Sequence, residues 1–162
     1  MMLAAIKNRR AVRQYQSTPV SEEKIQSLVA AFQAAPCAMH QTADMQGVVV
    51  TTKELRQHIE EATNNSCYGA PLLFILVTKK GSKFGERDAS VAAENIMLQA
   101  TELGLGSVYI MSGALALNRQ DGLLADLGVA DGYEVSAIVP VGHAADQPVK
   151  EDRSHRYHLV RK

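Results

Sequence analysis

The sequence predicts a mixed α and β fold of about four strands and five helices, and three observations carry that reading. Residues 72–77 (LLFILV) form an uninterrupted apolar run of strand length, as a central strand covered on both faces requires. Ala89, Ala92, Ala93, Ile96, Met97, Ala100 and Leu103 recur at helical spacing and mark an amphipathic helix. Around these two, helix-like and strand-like segments alternate along the chain.

Taken in order, Pro19-Val20-Ser21 opens the first clear helix, with Glu22 and Glu23 in its first turn, where the helix dipole favours acids. Its apolar residues Ile25, Leu28, Val29 and Phe32 keep helical spacing, and Pro36 stops it. Val48-Val49-Val50 is a β-branched strand ended by Thr51. Thr51 and Glu54 have capping-box spacing and open a helix running to about Asn64. After the 72–77 strand and the Ala89–Leu103 helix, Gly104 is placed to close that helix as its C′ residue. Ser107 to Met111 reads as a strand, and Asn118 to Leu127 as a helix closed by Gly128. Asp131-Gly132 is a turn, and Glu134 to Val141 the last strand. The order of strands in the sheet is not encoded in these periods.

A chain of 162 residues is of single-domain size, and no repeat, low-complexity tract or Pro/Gly/Ser linker divides residues 1–162. Apolar residues make up 46% and charged residues 21%, which excludes an intrinsically disordered chain. Seventeen basic residues balance seventeen acidic ones, so there is no overall field to hold nucleic acid or an acidic membrane. Cys37 and Cys67 make neither a disulfide framework nor a zinc site. Met1 to Ile6 is too short for a signal h-region, and no apolar run reaches membrane length, so a cytoplasmic protein is expected.

Charge is placed unevenly. Lys7, Arg9, Arg10 and Arg13 precede every acid, and Lys150, Arg153, Arg156, Arg161 and Lys162 crowd the other end. Arginine's planar fork suits bidentate phosphate binding, so basic ends that met would form a local anion site; the competing reading is a solvated basic surface. Gly104-Leu-Gly106 fails as a dinucleotide fingerprint, because its glycines close a helix and open a strand. His155 and His158 have a spacing used for metals but no supporting carboxylate or cysteine, and read as surface histidines. Cys37 and His40 suggest a nucleophile pair without a third orienting residue, so a small, partly buried side chain is the plainer reading of Cys37. Tyr15, Tyr68 and Tyr109 suit stacking on a flat ring or, more plainly, core and rim positions.

Several segments, read together, resemble the FMN-dependent nitroreductase family over nearly the whole chain. Ile6 to Tyr15 followed by Pro19-Val20 resembles the family's opening RRSVRxF…PV. Ala34 to Thr42 followed by VVV resembles APSAxNxQPW…VVV, and Gly69-Ala70-Pro71 before LLFILV resembles its APxxIVV strand entry. Ala92 to Ala100 with Glu102 to Ser107 resembles AAENLxLxAxxLGLGS, and Gly132-Tyr133-Glu134-Val135 leading to Val141-Gly142-His143 resembles GYExVxxxxxGYP.

The resemblance implies an α+β fold, a three-layer sandwich with a mostly antiparallel central sheet flanked by helices, and a homodimer binding two FMN molecules at its interface. Carried over by position, Arg9, Arg10, Ala11 and Arg13 would meet the FMN phosphate and ribityl chain, and Arg153 or Arg156 would complete the phosphate site. Pro36, Cys37, Ala38 and His40 would lie along the isoalloxazine ring, and Ile110, Met111, Ser112 and Gly113 would run past it with a backbone N–H aimed at N5. The implied activity is flavin-centred, with no dedicated catalytic residue. NAD(P)H reduces FMN, leaves, and is replaced on the same face by a nitroaromatic, a quinone or a similar acceptor. The chain departs from the family at Cys37, His40 and Thr42, where Ser, Asn and Gln are usual, and at Ala43-Asp44 in place of Pro-Trp. Those departures leave a flavin carrier or sensor with little turnover as the alternative.

Overall fold

The computed structural model describes residues 1–147, 149 and 151–162; Lys150, in the basic C-terminal stretch, lies outside them. Four strands, β1 (Met45–Val50), β2 (Leu72–Lys79), β3 (Gly106–Ser107) and β4 (Tyr133–Gly142), form one sheet in the order β1-β2-β4-β3, every neighbouring pair antiparallel. Six α-helices accompany them: α1 (Ala4–Asn8), α2 (Glu22–Gln33), α3 (Lys53–Ala62), α4 (Gly85–Glu102), α5 (Ser112–Leu117) and α6 (Asp121–Asp126). Two 3-10 turns, Ala38–His40 and Thr42–Asp44, lead into β1.

The apolar run around residue 75 is indeed an interior strand buried on both faces, and its two-residue period sorts its side chains into two cores. Leu72, Phe74 and Leu76, with Ala137, Val139 and Val141 of β4, pack beneath α4 and α2. Leu73, Ile75 and Val77, with Val135 and Ile138, pack beneath α3, α5 and the Leu127 turn. Helices therefore cover both faces of an antiparallel sheet, which is the α+β sandwich expected.

The C-terminus of α4 obeys the expected glycine logic. Gly104 takes φ +71°, its N–H donates to the Thr101 carbonyl, and the Leu105 N–H donates to Ala100. These two bonds make a Schellman motif, and Gly128 closes α6 the same way through Ala125 and Leu124.

Four expectations are corrected. Helix α3 is capped at Thr52, with no side-chain cap bond, so the Thr51–Glu54 capping box does not form. The strand expected over 107–111 pairs only at Gly106–Ser107 and again at an isolated Ile110–Ile138 bridge. The register is unbroken between them, but Pro140 stands opposite Val108 and lacks the N–H that would continue the ladder. The helix expected over 118–127 forms only over Asp121–Asp126 (α6); Asn118 instead ends the unexpected α5 as its C-cap and turns its amide to β4, where its Nδ2 donates to the Val135 carbonyl and its Oδ1 accepts from the Val135 N–H. Strand β1 starts at Met45, ahead of its β-branched residues.

Candidate functional site

The N-terminal arginines are held by a short extended segment rather than by α1. Ala11 bridges Ser107 in parallel, the Val12 N–H donates to the Ser107 carbonyl (3.0 Å), and the half-buried Tyr15 hydroxyl donates to the Val12 carbonyl (2.8 Å). A side chain at Gly106 would put its Cβ 2.7 Å from Val12, so the glycine is what lets this segment lie against β3. Burial pushes the Tyr15 phenol well up, so it stays a neutral donor, and its hydroxyl is spent on this segment rather than on a ligand.

The four predicted phosphate-side positions then separate. Arg10 forks onto Asp146, Nη1 to Oδ2 at 2.7 Å and Nη2 to Oδ1 at 2.9 Å, tying the N-terminal segment to the chain beyond β4. That bond holds the Asp146 carboxyl below its usual range. Arg9 lies 3.4 Å from Glu94 of α4, and Ala11 is exposed. Arg13 is exposed and has no ion-pair partner among the described residues.

The basic C-terminus comes to the same place. Arg153 donates to the Lys7 carbonyl (3.1 Å) and lies 3.8 Å from Glu151, while Arg156 hydrogen-bonds the other oxygen of that carboxylate. The Arg156 hydrogen bond, then the charges of Arg156, Arg153 and Arg9, hold the Glu151 carboxyl below its usual range. Arg9, Arg153 and Arg156 thus share one field, and the meeting of basic ends expected from the sequence is present. Its anion in this state is the chain's own carboxylate.

Ile110 is not a free donor: it exchanges both backbone bonds with Ile138, at 2.9 Å each. The N–H groups that remain open are the next three. Those of Met111, Ser112 and Gly113, at the start of α5, have no protein acceptor among the described residues, and Met111 and Ser112 are exposed. Gly113 sits tightly, since a Cβ there would be 3.2 Å from Ile110 and Ile138 and 3.4 Å from Ser66.

The last of those neighbours belongs to a turn that sequence patterning alone does not single out. Asn64, Asn65, Tyr68 and Gly69 all take positive φ, and Glu60 accepts hydrogen bonds from the Cys67 and Gly69 N–H groups. The Asn-Asn and Tyr-Gly pairs are the available signal. Cys67 beneath it is buried, and burial together with the Glu60 charge pushes its thiol up to about 12.

The Pro36–His40 segment is anchored elsewhere. Asp88, in the first turn of α4, accepts the Ala38 N–H on both carboxylate oxygens (3.2 and 3.3 Å) and lies 3.9 Å from the Cys37 sulfur. Burial, then the Asp88 charge, pushes the Cys37 thiol up, and its hydrogen-bonding partners are Asp88 and the Ala38 carbonyl rather than His40, so no Cys/His pair forms. Met39 and His40 come next with φ 55° each, a left-handed pair with exposed side chains.

One chain does not bring all these pieces together. Asp88 and Thr101, the latter beside Arg10, are separated by about 20 Å along α4 at 1.5 Å per residue. The Pro36–His40 segment belongs to the first turn of α4, whereas Ile110 and the start of α5 join the core on the opposite face of the sheet. The arginines of the two chain ends gather at one place, while the open N–H groups at the start of α5 and the Pro36–His40 segment are presented elsewhere on the chain.

The model of the Nitroreductase family matches residues 6–67 and 53–143. The chain belongs to the nitroreductase family. It is 30% identical over 161 residues to a Methanothermobacter thermautotrophicus protein that carries the provisional name NADH dehydrogenase/NAD(P)H nitroreductase, covering 93% of this chain and 81% of that protein. Among solved structures, an FMN-bound nitroreductase from Desulfitobacterium hafniense superposes with TM-score 0.88 at 23% identity, covering 100% of both chains. An FMN-dependent nitroreductase from Clostridium difficile superposes with TM-score 0.81 at 25% identity, covering 99% of this chain and 100% of that one. Nitroreductase architecture is thus reproduced from end to end.

Proposed function

We propose that the protein is an FMN-dependent NAD(P)H oxidoreductase, working as a cytoplasmic homodimer with an FMN site at each side of the interface. The observation that carries this reading is the convergence of cations from both chain ends. Arg9, Arg153 and Arg156, now paired with Glu94 and Glu151, and the exposed Arg13 offer guanidinium forks suited to a phosphate dianion, and the open N–H groups of Met111–Gly113 suit the polar edge of a flavin. These residues fit FMN. The Pro36–His40 segment, carried about 20 Å away on the first turn of α4, supports completion of the site by a second copy of the chain.

In this arrangement FMN, when bound, supplies the hydride chemistry. The arginines bind and orient its phosphate. Arg10 serves differently, fixing the segment through Asp146 so that Arg9 and Arg13 face the ligand. The N–H groups of Met111, Ser112 and Gly113, which have no acceptor among the described residues, would be the donors that stabilise charge developing on a reduced ring. Pro36–His40 of the second copy would bound the ring on the side open to nicotinamide and to a nitroaromatic, quinone or similar acceptor. Alternation on a single face requires no acid–base pair from the chain and gives ping-pong kinetics.

Initial rates at varied NADH or NADPH and varied quinone test this. Parallel double-reciprocal lines are expected, and intersecting lines contradict the alternation. A second reading, a flavin carrier or sensor with little turnover, draws support from His40, an exposed left-handed histidine where the family has Asn. Stoichiometric FMN with no NAD(P)H oxidation by quinones or nitro compounds would establish that reading instead.

A further inference from the structure

We propose that Asp88 is a positioning residue acting in trans: from the first turn of α4 it sets the Pro36–His40 segment against the flavin whose phosphate is held by the other copy's arginines. The inference rests on the two-copy site proposed above and adds a residue that makes no contact with the ligand.

Asp88 is a carboxylate with only 8% of its surface exposed, and no Lys, Arg or His lies within 4 Å of it among the described residues. A buried charge without a counter-ion must be stabilised by something else. Two features do so. The first turn of an eighteen-residue helix offers its dipole to a carboxylate. The Ala38 N–H, shared by both oxygens, and the Cys37 thiol supply the local donors.

The two residues after Ala38 explain why the anchor is needed. Met39 and His40 both hold φ 55°, an arrangement that non-glycine residues adopt only when their surroundings enforce it. The far side of the segment is fixed by Ser82, whose hydroxyl donates to Asp44 (2.9 Å), and by Tyr133, whose hydroxyl donates to the Ala43 carbonyl (2.8 Å). On the near side the side-chain restraint is Asp88. Releasing it would let the left-handed pair relax and carry His40 away from its position.

Mixing of defective copies tests the inference. Arg9→Ala/Arg153→Ala and Asp88→Ala are prepared separately, and FMN affinity is read by quenching of flavin fluorescence. Each protein alone is expected to bind FMN about tenfold more weakly than wild type or worse, as loss of a charge-assisted hydrogen bond implies, while Asp88→Asn, which keeps an acceptor for Ala38, is largely rescued. When the two defective chains are refolded together, each mixed dimer should hold one doubly damaged site and one intact site, so tight binding returns at one FMN per mixed dimer. A mixture with no tight sites would overturn action in trans, and an Asp88→Ala protein that binds FMN like wild type would overturn the positioning role. If Asp88→Ala does not fold, Asp88→Glu takes its place, keeping the charge but displacing the carboxylate. Wild-type protein that takes no FMN would overturn the parent reading as well, a result distinct from either of the others.

Discussion

The two ends of α4 organise the two halves of the site by different means. At its C-terminal end the work is done by backbone geometry: Gly104 ends the helix in a left-handed turn, and Gly106 lets Val12 lie against β3. The arginines flanking Val12 are placed as a result. At its N-terminal end a single side chain, Asp88, reaches out to the backbone of a segment fifty residues earlier. The C-terminal device depends on the absence of a side chain at Gly106, and the N-terminal device on a hydrogen-bond acceptor held at the right reach. One rigid helix therefore holds both segments at a fixed separation of about 20 Å, as the two-copy site proposed above requires.

Substitutions at the C-terminal end should separate ligand binding from stability. The largest effect is expected at the arginines, where Arg9→Ala and Arg13→Ala should each weaken FMN binding by about 1.5–3 kcal/mol, measured by titration of the apoprotein. Unchanged affinity in both variants would remove the phosphate assignment. Gly106→Ala should cost about 1–3 kcal/mol of stability in urea denaturation, because its Cβ would fall within contact distance of the stiff Val12 side chain. A variant as stable as wild type would mean that Val12 moves freely and that the glycine does not position the segment.

The Arg10–Asp146 tether gives a smaller effect with a defined pH dependence. The Asp146 pKa is lowered in the folded state, chiefly by the Arg10 hydrogen bond. Its stabilisation is therefore present above the unfolded value of about 3.9 and lost as pH falls through the lower folded value. The difference in Tm between wild type and Asp146→Asn should be constant near neutrality and shrink below about pH 4. A gap that persists in acid would contradict this. The smallest effect is expected at Ser107, whose buried hydroxyl has no partner among the described residues. Ser107→Ala should be neutral, or stabilising by up to about 1 kcal/mol, because it removes an unsatisfied polar group; a clear loss of Tm would mean the hydroxyl is hydrogen-bonded in solution.

The same contrast explains what is legible in the sequence. Periodicity reveals β2, α4 and β4 because their burial patterns are local and strong, and Gly104 and Gly128 announce their helix ends. The interruption after Ser107 is hidden, since it arises from Pro140 on a different strand, thirty-two residues past Val108. The late start of the helix expected over 118–127 is hidden for a similar reason: Asn118 reads as a helix residue until β4 is beside it. The arginines are legible as a charge cluster, but only the fold shows that Arg10 is consumed by Asp146 and that Ile110 is consumed by Ile138. Asp88 falls just ahead of the helix read from Ala89 and is not singled out by the sequence, because nothing local links it to Ala38.

The most direct test of the central claim is the visible absorption spectrum of the purified protein, recorded without oxygen before and after addition of NADH or NADPH. A flavin spectrum that bleaches on addition is the predicted result. A flavin spectrum that persists would contradict the reductase reading and favour the carrier. Protein that shows no flavin after reconstitution with FMN would contradict the cofactor assignment itself.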